Sequence, residues 1–396
     1  MQAIILAAGS STRCYPLTLT RPKALLKVAN KPIMEHTLQA LKVIVKEVII
    51  VVNYKAEMIK QAFKNSCAGL KLTYFKQQGT RGTGDALLQV SKLIKQDFIL
   101  LYSDDIYTCE DLKQLVKNKA GCLITKVSNP ENYGVVQLKN SYVKRIIEKP
   151  EQPPTKIVTT GAYKLPKSFT SYLKNLKPSK RNELELTDAI NRFCKENKLK
   201  AVEVKSGWVP VSYPWQILNA NEFLLERLKQ ERKGVVERGA VVKGKLLLSE
   251  GSVIKSGAYL EGNIAIGKNT IIGPNCYIRG STSIGNNCKV GNAVEVKNSV
   301  IMDNSKLPHL SYVGDSVIGY NVNLGAGTLI ANLRHDGANV KTMIKSELVD
   351  TGRRKFGSVI ADNVQMGINT MIYPGRKLWP NTTTLPGEVV KKDKTE

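Results

Sequence analysis

Acidic residues are scarce in this chain. There are 33 against 59 lysines and arginines, which leaves a formal net charge of +26 over 396 residues. Such a surplus suits anionic partners such as nucleotides, sugar phosphates, CoA or nucleic acid. The lysines are dispersed and no nucleic-acid recognition motif accompanies them, so the excess reads as a solvated surface and no nucleic-acid partner is expected. The seven cysteines form no CxxC pair and keep no His/Cys ligand spacing, which argues against a disulfide framework and against a zinc site. Long apolar runs are missing as well: Val48 to Val52 and Phe98 to Tyr102 have strand length and fall far short of a membrane span. The first residues, MQAIILAAGSS, lack the basic start and cleavage pattern of a signal peptide. A cytoplasmic protein with no membrane partner is the expectation.

The chain changes character near residue 232, and two domains are expected, 1–232 and 233–396. In the first, short apolar runs alternate with helix-like stretches, the pattern of a mostly parallel α/β sheet. Strands are expected at Ala3 to Ala8, Val48 to Val52, Leu70 to Phe75 and Phe98 to Tyr102. Helices are expected over Pro32 to Lys42, Glu185 to Lys195 and Pro214 to Lys233, the last carrying the chain out of the first domain.

Beyond that boundary an aliphatic residue or Met recurs every six positions, at Ile254, Leu260, Ile266, Ile272, Ile278, Ile284, Val290, Val296 and Met302. The spacing resumes at Ile318, Leu324 and Ile330, and again at Ile360, Met366, Ile372 and Leu378. A period of six fits neither an amphipathic helix nor a heptad seam, but it fits a solenoid in which each short strand contributes one inward aliphatic side chain. The period breaks twice. A loop is expected to leave the solenoid at 306–316, and a second irregular segment to protrude between Ile330 and Ile360. Sites are commonly built on such segments.

In the first half, Leu6-Ala7-Ala8-Gly9-Ser10-Ser11-Thr12-Arg13 follows a strand directly, so its backbone N–H groups can wrap a polyphosphate while Arg13 adds a charge-assisted contact. Pro22-Lys23 supplies a second cation, and a Gly82-Thr83-Gly84 turn closes the run that starts at Gln77. Together these strings resemble the sugar-1-phosphate nucleotidylyltransferases, over most of residues 1–215. The resemblance implies a Rossmann-like α/β fold. It places Ala8, Gly9, Gln77, Gly82 and Thr83 around the nucleoside, Arg13 and Lys23 on the triphosphate, and Asp104 on Mg²⁺. On the sugar-phosphate side it implies Gly134, Glu148 and Lys149, and Glu183 to Asp188 match the family's ELxLTD element. The departures fall on the chemistry. Ser11 replaces the second loop glycine, Ser103 the glycine before the metal aspartate, and Thr159 an asparagine. In Trp208-Val209-Pro210-Val211-Ser212, Pro210 takes the place of a second metal ligand. Asp105 is the neighbouring carboxylate, but adjacent residues on a strand point oppositely.

In the second half, Val294 to Lys297, His309 to Asp315, Gly325-Ala326-Gly327-Thr328 and Asp336 to Asn339 are similar, in order and nearly in spacing, to the acetyltransferase domain of the bifunctional GlmU-type enzymes. The strings Ala331-Asn332-Leu333-Arg334 and Gly352-Arg353-Arg354-Lys355 resemble those of archaeal bifunctional sugar-1-phosphate nucleotidylyltransferase/acetyltransferases. The resemblance implies a left-handed parallel β-helix of hexapeptide repeats, assembled as a homotrimer, with acetyl-CoA as co-substrate. His309 is the expected general base, since an imidazole titrating near neutrality suits proton removal from an amine. His335 is its rival, set in a charged loop. Arg279, Lys297 and Lys341 are assigned to the substrate phosphate, Tyr312 and Asn332 to the sugar, and Ala326 to acetyl-CoA. The reaction so implied is N-acetylation of glucosamine or galactosamine 1-phosphate, coupled to UTP (or dTTP) to give the nucleotide sugar. Two other readings stand beside it: an acetyltransferase whose first domain is attenuated at Pro210, and a noncatalytic assembly or regulatory subunit.

Overall fold

The computed structural model describes residues 1–179 and 181–396. Two compact units emerge. The first is Met1–Ser10 with Ile33–Pro210, and the second is Ser11–Pro32 with Val211–Glu396. This division differs from a boundary at 232, because the segment Ser11–Pro32 and the helix after residue 215 group with the repeats.

The first unit is built on a ten-stranded sheet whose middle runs Phe98–Tyr102, Gln2–Ala7, Glu47–Val52 and Leu70–Lys76, mutually parallel. Gln2–Ala7 is buried along its whole length, as a strand covered on both faces must be. Helices α1 (Ile33–Leu41), α2 (Ala56–Phe63), α3 (Thr83–Val90) and α4 (Cys109–Val116) connect these strands, and α5 (Leu186–Glu196) follows later. Beyond Phe98–Tyr102 the sheet turns mixed, adding Ile157–Leu165, Gly121–Lys126, Lys200–Glu203, Tyr142–Glu148 and Gly134–Lys139. The expected strands and the first two expected helices fall where the apolar patterns put them, to within a residue or two.

The third expected helix is shorter than the sequence suggested. The helix α6 spans Gln216–Glu226, and Glu231–Arg232 already pairs, in parallel, with Leu246–Leu248. The charged residues after 226 are good helix formers, but strand pairing overrides that preference.

From there the second unit repeats. Tyr259 pairs with Tyr277 and Tyr277 with Glu295, Val253 with Ile271 and Ile271 with Lys289, each step 18 residues and each parallel. Three six-residue periods therefore make one coil, and the aliphatic residue of each period points inward. Ile254, Leu260, Ile266, Ile272, Ile278, Ile284, Val290 and Val296 are all fully buried in one cluster. Outward positions form three columns. One of them, containing Leu247 and Ala265, is covered by α6 and by Ala29 of the segment Ser11–Pro32.

The loop expected at 306–316 does not leave the repeats. Lys306–His309 pairs with Lys289–Asn292 and Tyr312–Gly314 with Glu295–Lys297, both in steps of 17 residues. One residue is missing between Lys297 and Val300 relative to the coil before, and the stretch from Gly314 to Val317 is equally short, so the inward series shifts to Ile301, Leu307, Val313 and Ile318. Counting from Met302 instead of Ile301 turned a shortened coil into an apparent insertion. The second irregular segment is real: Val317 pairs with Val359, a step of 42, and the extra chain contains an antiparallel hairpin, Lys341–Ile344 with Glu347–Asp350.

Candidate functional site

In the first unit Ala8 is buried at the end of the opening strand, and Gly9 faces open space, so backbone there is accessible to a ligand. Gln77 is buried, its Nε2 donating to Asp85 Oδ2 at 2.8 Å, which fixes the amide. Gly82 adopts φ +105 at the N-terminus of α3, and a Cβ there would stand 2.8 Å from the Leu184 carbonyl oxygen, so glycine is required. The Gly84 N–H donates to that same carbonyl at 2.8 Å, and the Leu186 N–H to Thr83 Oγ1 at 3.3 Å. The ELxLTD element thus buttresses the turn that presents Gly82 and Thr83.

The sugar-side residues also meet. Gly134 pairs in register with Glu148, and a Cβ on Gly134 would lie 2.9 Å from Thr159 Cγ2. Burial raises the Glu148 carboxyl above its ordinary value, opposed by Lys149 and Arg181. Lys149 takes φ +43, which turns the chain at the end of that strand. The Thr159 hydroxyl is spent internally: it donates to Tyr163 Oη at 2.9 Å and accepts from the Gly161 N–H at 3.1 Å. It does not stand in for an asparagine facing a ligand.

Asp104 is half-buried between two strands and retains a carboxylate suited to a divalent ion. Asp105 is buried and committed, accepting from Trp208 Nε1 at 3.0 Å and from Tyr107 Oη at 3.3 Å. Pro210 lies directly opposite Asp105 in the strand pair Trp208–Pro210 with Asp105–Tyr107. No cluster of three or more His, Cys, Asp or Glu side chains suited to a metal occurs among the described residues. One carboxylate is compatible with Mg²⁺, which is commonly held by one or two carboxylates together with substrate phosphates.

Arg13 and Lys23 lie in the second unit. The Arg13 guanidinium sits 5.3 Å from the Tyr213 ring centre, and that ring stacks on Trp215 at 4.5 Å. Lys23 is buried, its Nζ donating to the Val211 carbonyl at 2.7 Å. Ser11 takes φ +54, a left-handed conformation that glycine adopts at less cost.

Among the repeats, Arg279 and Lys297 are neighbours on adjacent coils. Each is partnered by a carboxylate: Arg279 Nε donates to Glu295 Oε1 at 2.7 Å, and Lys297 Nζ reaches Asp315 Oδ2 at 3.2 Å. Asp315 is the hub of this site. Its buried carboxylate also accepts from Asn332 Nδ2 at 2.6 Å and Asn298 Nδ2 at 2.9 Å, and Asn332 in turn donates to Tyr312 Oη at 3.1 Å. Gly314 makes the room, since a Cβ there would stand 2.5 Å from both Asn332 Nδ2 and Tyr312 Oη. An outer ring completes it: Glu222 of α6 accepts from Asn298 at 2.8 Å and from Arg353 at 2.9 Å. Asp315, Glu222 and Arg353 had no assigned role in the sequence. Arg353 lies in the Gly352 to Lys355 string and Asp315 closes the His309 string, so position within a motif was the available signal.

His309 is exposed at the end of its strand opposite Asn292, its carbonyl accepting from the Ser311 hydroxyl at 2.7 Å and the Gly327 N–H at 3.3 Å. Ala326 is on the next coil, its carbonyl accepting from the Asn369 N–H at 2.7 Å. Lys341 is exposed on the hairpin opposite Asp350, and no hydrogen bond or ion pair among the described residues joins it to the Asp315 cluster. His335 is exposed in the loop before the hairpin, beside the Arg334–Asp336 ion pair.

A parallel α/β sheet with a glycine loop after its first strand and a glycine turn opening α3 defines a nucleotidyl transferase, and residues 2–227 match the nucleotidyl transferase family. Residues 260–383 match the GMPPB C-terminal domain. A putative glucose-1-phosphate thymidylyltransferase from Bacillus anthracis superposes with a TM-score of 0.52 at 27% identity, covering 59% of this chain and 98% of that one. Similarity to named relatives extends over both units. The bifunctional protein GlmU of Methanocaldococcus jannaschii is 41% identical over 382 residues, 96% of this chain and 92% of that protein. The bifunctional sugar-1-phosphate nucleotidylyltransferase/acetyltransferase of Sulfurisphaera tokodaii is 41% identical over 398 residues, 99% and 98% of the two chains. The chain belongs to this family of bifunctional GlmU-type enzymes.

Proposed function

We propose that the chain acetylates an amino-sugar 1-phosphate, glucosamine or galactosamine, and then joins the product to UTP or dTTP with release of pyrophosphate. The acetyltransferase reading assigns 233–396 to a left-handed β-helix of hexapeptide repeats, and the nucleotidylyltransferase reading assigns 1–232 to the Rossmann-like half. The observation that carries the acetyl-transfer reading is the Asp315 hub, which orders Lys297 and Asn332 directly and Tyr312 through Asn332, three residues that the family resemblance had selected independently.

In acetyl transfer, His309 removes a proton from the amine as its nitrogen attacks the thioester carbonyl of acetyl-CoA. The C–N bond forms, the C–S bond breaks, and the thiolate leaves to take up a proton. Arg279 and Lys297 hold the sugar phosphate through charge-assisted bonds, with Lys341 a third cation, Tyr312 and Asn332 orient the ring, and Ala326 contacts acetyl-CoA. In nucleotidyl transfer, a phosphate oxygen of the sugar attacks the α-phosphorus of the nucleotide. Arg13 and Lys23 spread the charge of the triphosphate, Ala8, Gly9, Gln77, Gly82 and Thr83 seat the nucleoside, and Gly134, Glu148 and Lys149 the sugar phosphate. Mg²⁺ on Asp104 would neutralise the charge developing on the phosphates.

Three further features belong to this reading. The outward column Leu329, Met371 and Val389 is 37–48% exposed along one coil face, as the homotrimer of the family would require. No helix among the described residues is long and apolar enough to cross a membrane, which fits a cytoplasmic enzyme. The partners are then small molecules, with no nucleic acid.

The test is to supply acetyl-CoA with glucosamine 1-phosphate and follow thiol release, and separately UTP, Mg²⁺ and N-acetylglucosamine 1-phosphate and follow pyrophosphate. Absence of thiol release with both epimers rejects the first activity, and absence of pyrophosphate with both UTP and dTTP rejects the second.

A further inference from the structure

We infer that the segment Ser11–Pro32, which carries Arg13 and Lys23, is held in its working conformation by the repeat coils, so that Asp303, Tyr320 and Asp362 act as positioning residues for nucleotidyl transfer. This rests on the nucleotidyl-transfer reading above.

The attachments are polar, specific and spread over successive coils. Arg21 lies 3.4 Å above the Tyr320 ring, and its Nη2 and Nε donate to Asp362 Oδ2 at 2.5 and 3.2 Å. Thr20 Oγ1 donates to the same oxygen at 2.7 Å, while the other Asp362 oxygen accepts the Tyr320 N–H at 2.9 Å. The Asp362 side chain is 4% exposed, so this carboxylate is built into the coil and is not a chance surface partner. Tyr320 Oη closes the arrangement by donating to the Leu25 carbonyl at 3.4 Å. These contacts bracket Lys23 from both sides in sequence.

A second group fastens the far end. Lys27 Nζ meets Asp303 Oδ2 at 2.6 Å, and Asn30 Nδ2 donates to the Ile284 carbonyl at 2.9 Å. The Ala29 N–H donates at 2.9 Å to Asn221 Oδ1 of α6, and Asn221 Nδ2 donates at 2.8 Å to the Ser281 carbonyl. The groups that receive the two cations are themselves fixed by α6: Gln216 Oε1 accepts the Ser212 and Tyr213 N–H groups at 2.7 and 3.0 Å, beside the Val211 carbonyl and the Tyr213 ring that hold Lys23 and Arg13.

Regular secondary structure gives this segment little rigidity of its own. It runs through three single-turn 3₁₀ helices and a two-residue strand pair, with Ser11, Ala29 and Asn30 all at positive φ. Side chains whose geometry must be kept to a fraction of an ångström need such external support. The consequence is a one-way dependence in which the repeats can fail to support nucleotidyl transfer while acetyl transfer proceeds.

The experiment compares Asp362→Asn, Asp362→Glu and the exchanged pair Lys27→Asp/Asp303→Lys with the full-length wild type. Hydrogen exchange of the peptides covering 12–26 is followed beside thiol release and the UTP dependence of pyrophosphate release. Asp362→Asn is expected to speed exchange across 12–26 and to raise the KM for UTP about tenfold, the scale of one lost charge-assisted bond, with thiol release kept within about twofold. Asp362→Glu should recover part of the KM, and the exchanged pair should resemble the wild type more closely than Lys27→Asp alone. Unchanged exchange over 12–26 in Asp362→Asn overturns the inference, as does an equal fall in both activities. Faster exchange in a protein whose wild type releases no pyrophosphate from either UTP or dTTP supports the anchoring and removes the nucleotidyl-transfer reading instead.

Discussion

The ammonium of Lys297 stands 3.2 Å from the carboxylate of Asp315, a side chain only 4% exposed that also meets two asparagine amides and, at 3.9 Å, the Arg353 guanidinium. A cation proposed to grip a phosphate is therefore held in place before any substrate arrives. Removing the carboxylate leaves Lys297 and Asn332 without their common anchor. We expect Asp315→Ala to cost about 3 kcal/mol of stability, the scale for breaking a largely buried pair, and to lower thiol release more than tenfold. Urea unfolding and a thiol assay check the two effects separately, and Asp315→Asn should fall between.

His309→Ala should abolish thiol release and leave pyrophosphate release as in the wild type, because the side chain is exposed and its carbonyl, not its ring, supports the neighbouring coil. Intact thiol release in that variant would transfer the role of base to His335, and His335→Ala is the companion measurement.

Pro210 faces Asp105, whose carboxylate is already engaged by Trp208 and Tyr107. An acidic side chain at position 210 would face the same place from the opposite strand. Pro210→Asp is expected to raise pyrophosphate release and to lower the Mg²⁺ concentration needed for half-maximal rate. An unaltered Mg²⁺ dependence would remove this proline as the cause of any weak activity.

Burial raises the pKa of Glu148 above the ordinary 4.5. From 4.5 upward to the raised value the folded chain keeps a proton that the unfolded chain has lost, so this group makes stability fall as pH rises through that window, and the deficit persists above it. Glu148→Gln should accordingly be the more stable protein at neutral pH and match the wild type below 4.5, as thermal unfolding across pH would read. Pyrophosphate release should drop in the same variant, since the carboxylate is assigned to the sugar phosphate.

The sequence carried most of this in two patterns. Short apolar runs located the central strands, because a sheet buried on both faces leaves no polar alternation to confuse the reading. The six-residue period located the inward residues from Ile254 to Val296, yet it misread 306–316. Deleting one residue between Lys297 and Val300 changes which side chain faces inward, and both Ile301 and Met302 are buried, so hydrophobicity alone could not choose between them. The Asp315 hub was not legible either. Its partners are 17 and 18 residues away in sequence and meet only once the coils are stacked. For the same reason, the attachment of Arg21 to Asp362, 341 residues distant, had no local signature.

The step of 42 from Val317 to Val359 equals one coil of 18 plus 24 residues of added chain, and strand pairing continues across it as if nothing had been inserted. Each coil interacts only with its immediate neighbours, so growth at a corner leaves the rest of the stack untouched. The hairpin Lys341–Asp350 is itself fastened to the following coil, Thr342 Oγ1 donating to the Gly375 carbonyl at 2.7 Å and Arg376 Nη2 to the Lys341 carbonyl at 3.2 Å, so a change in its length is tolerated where those ties are kept.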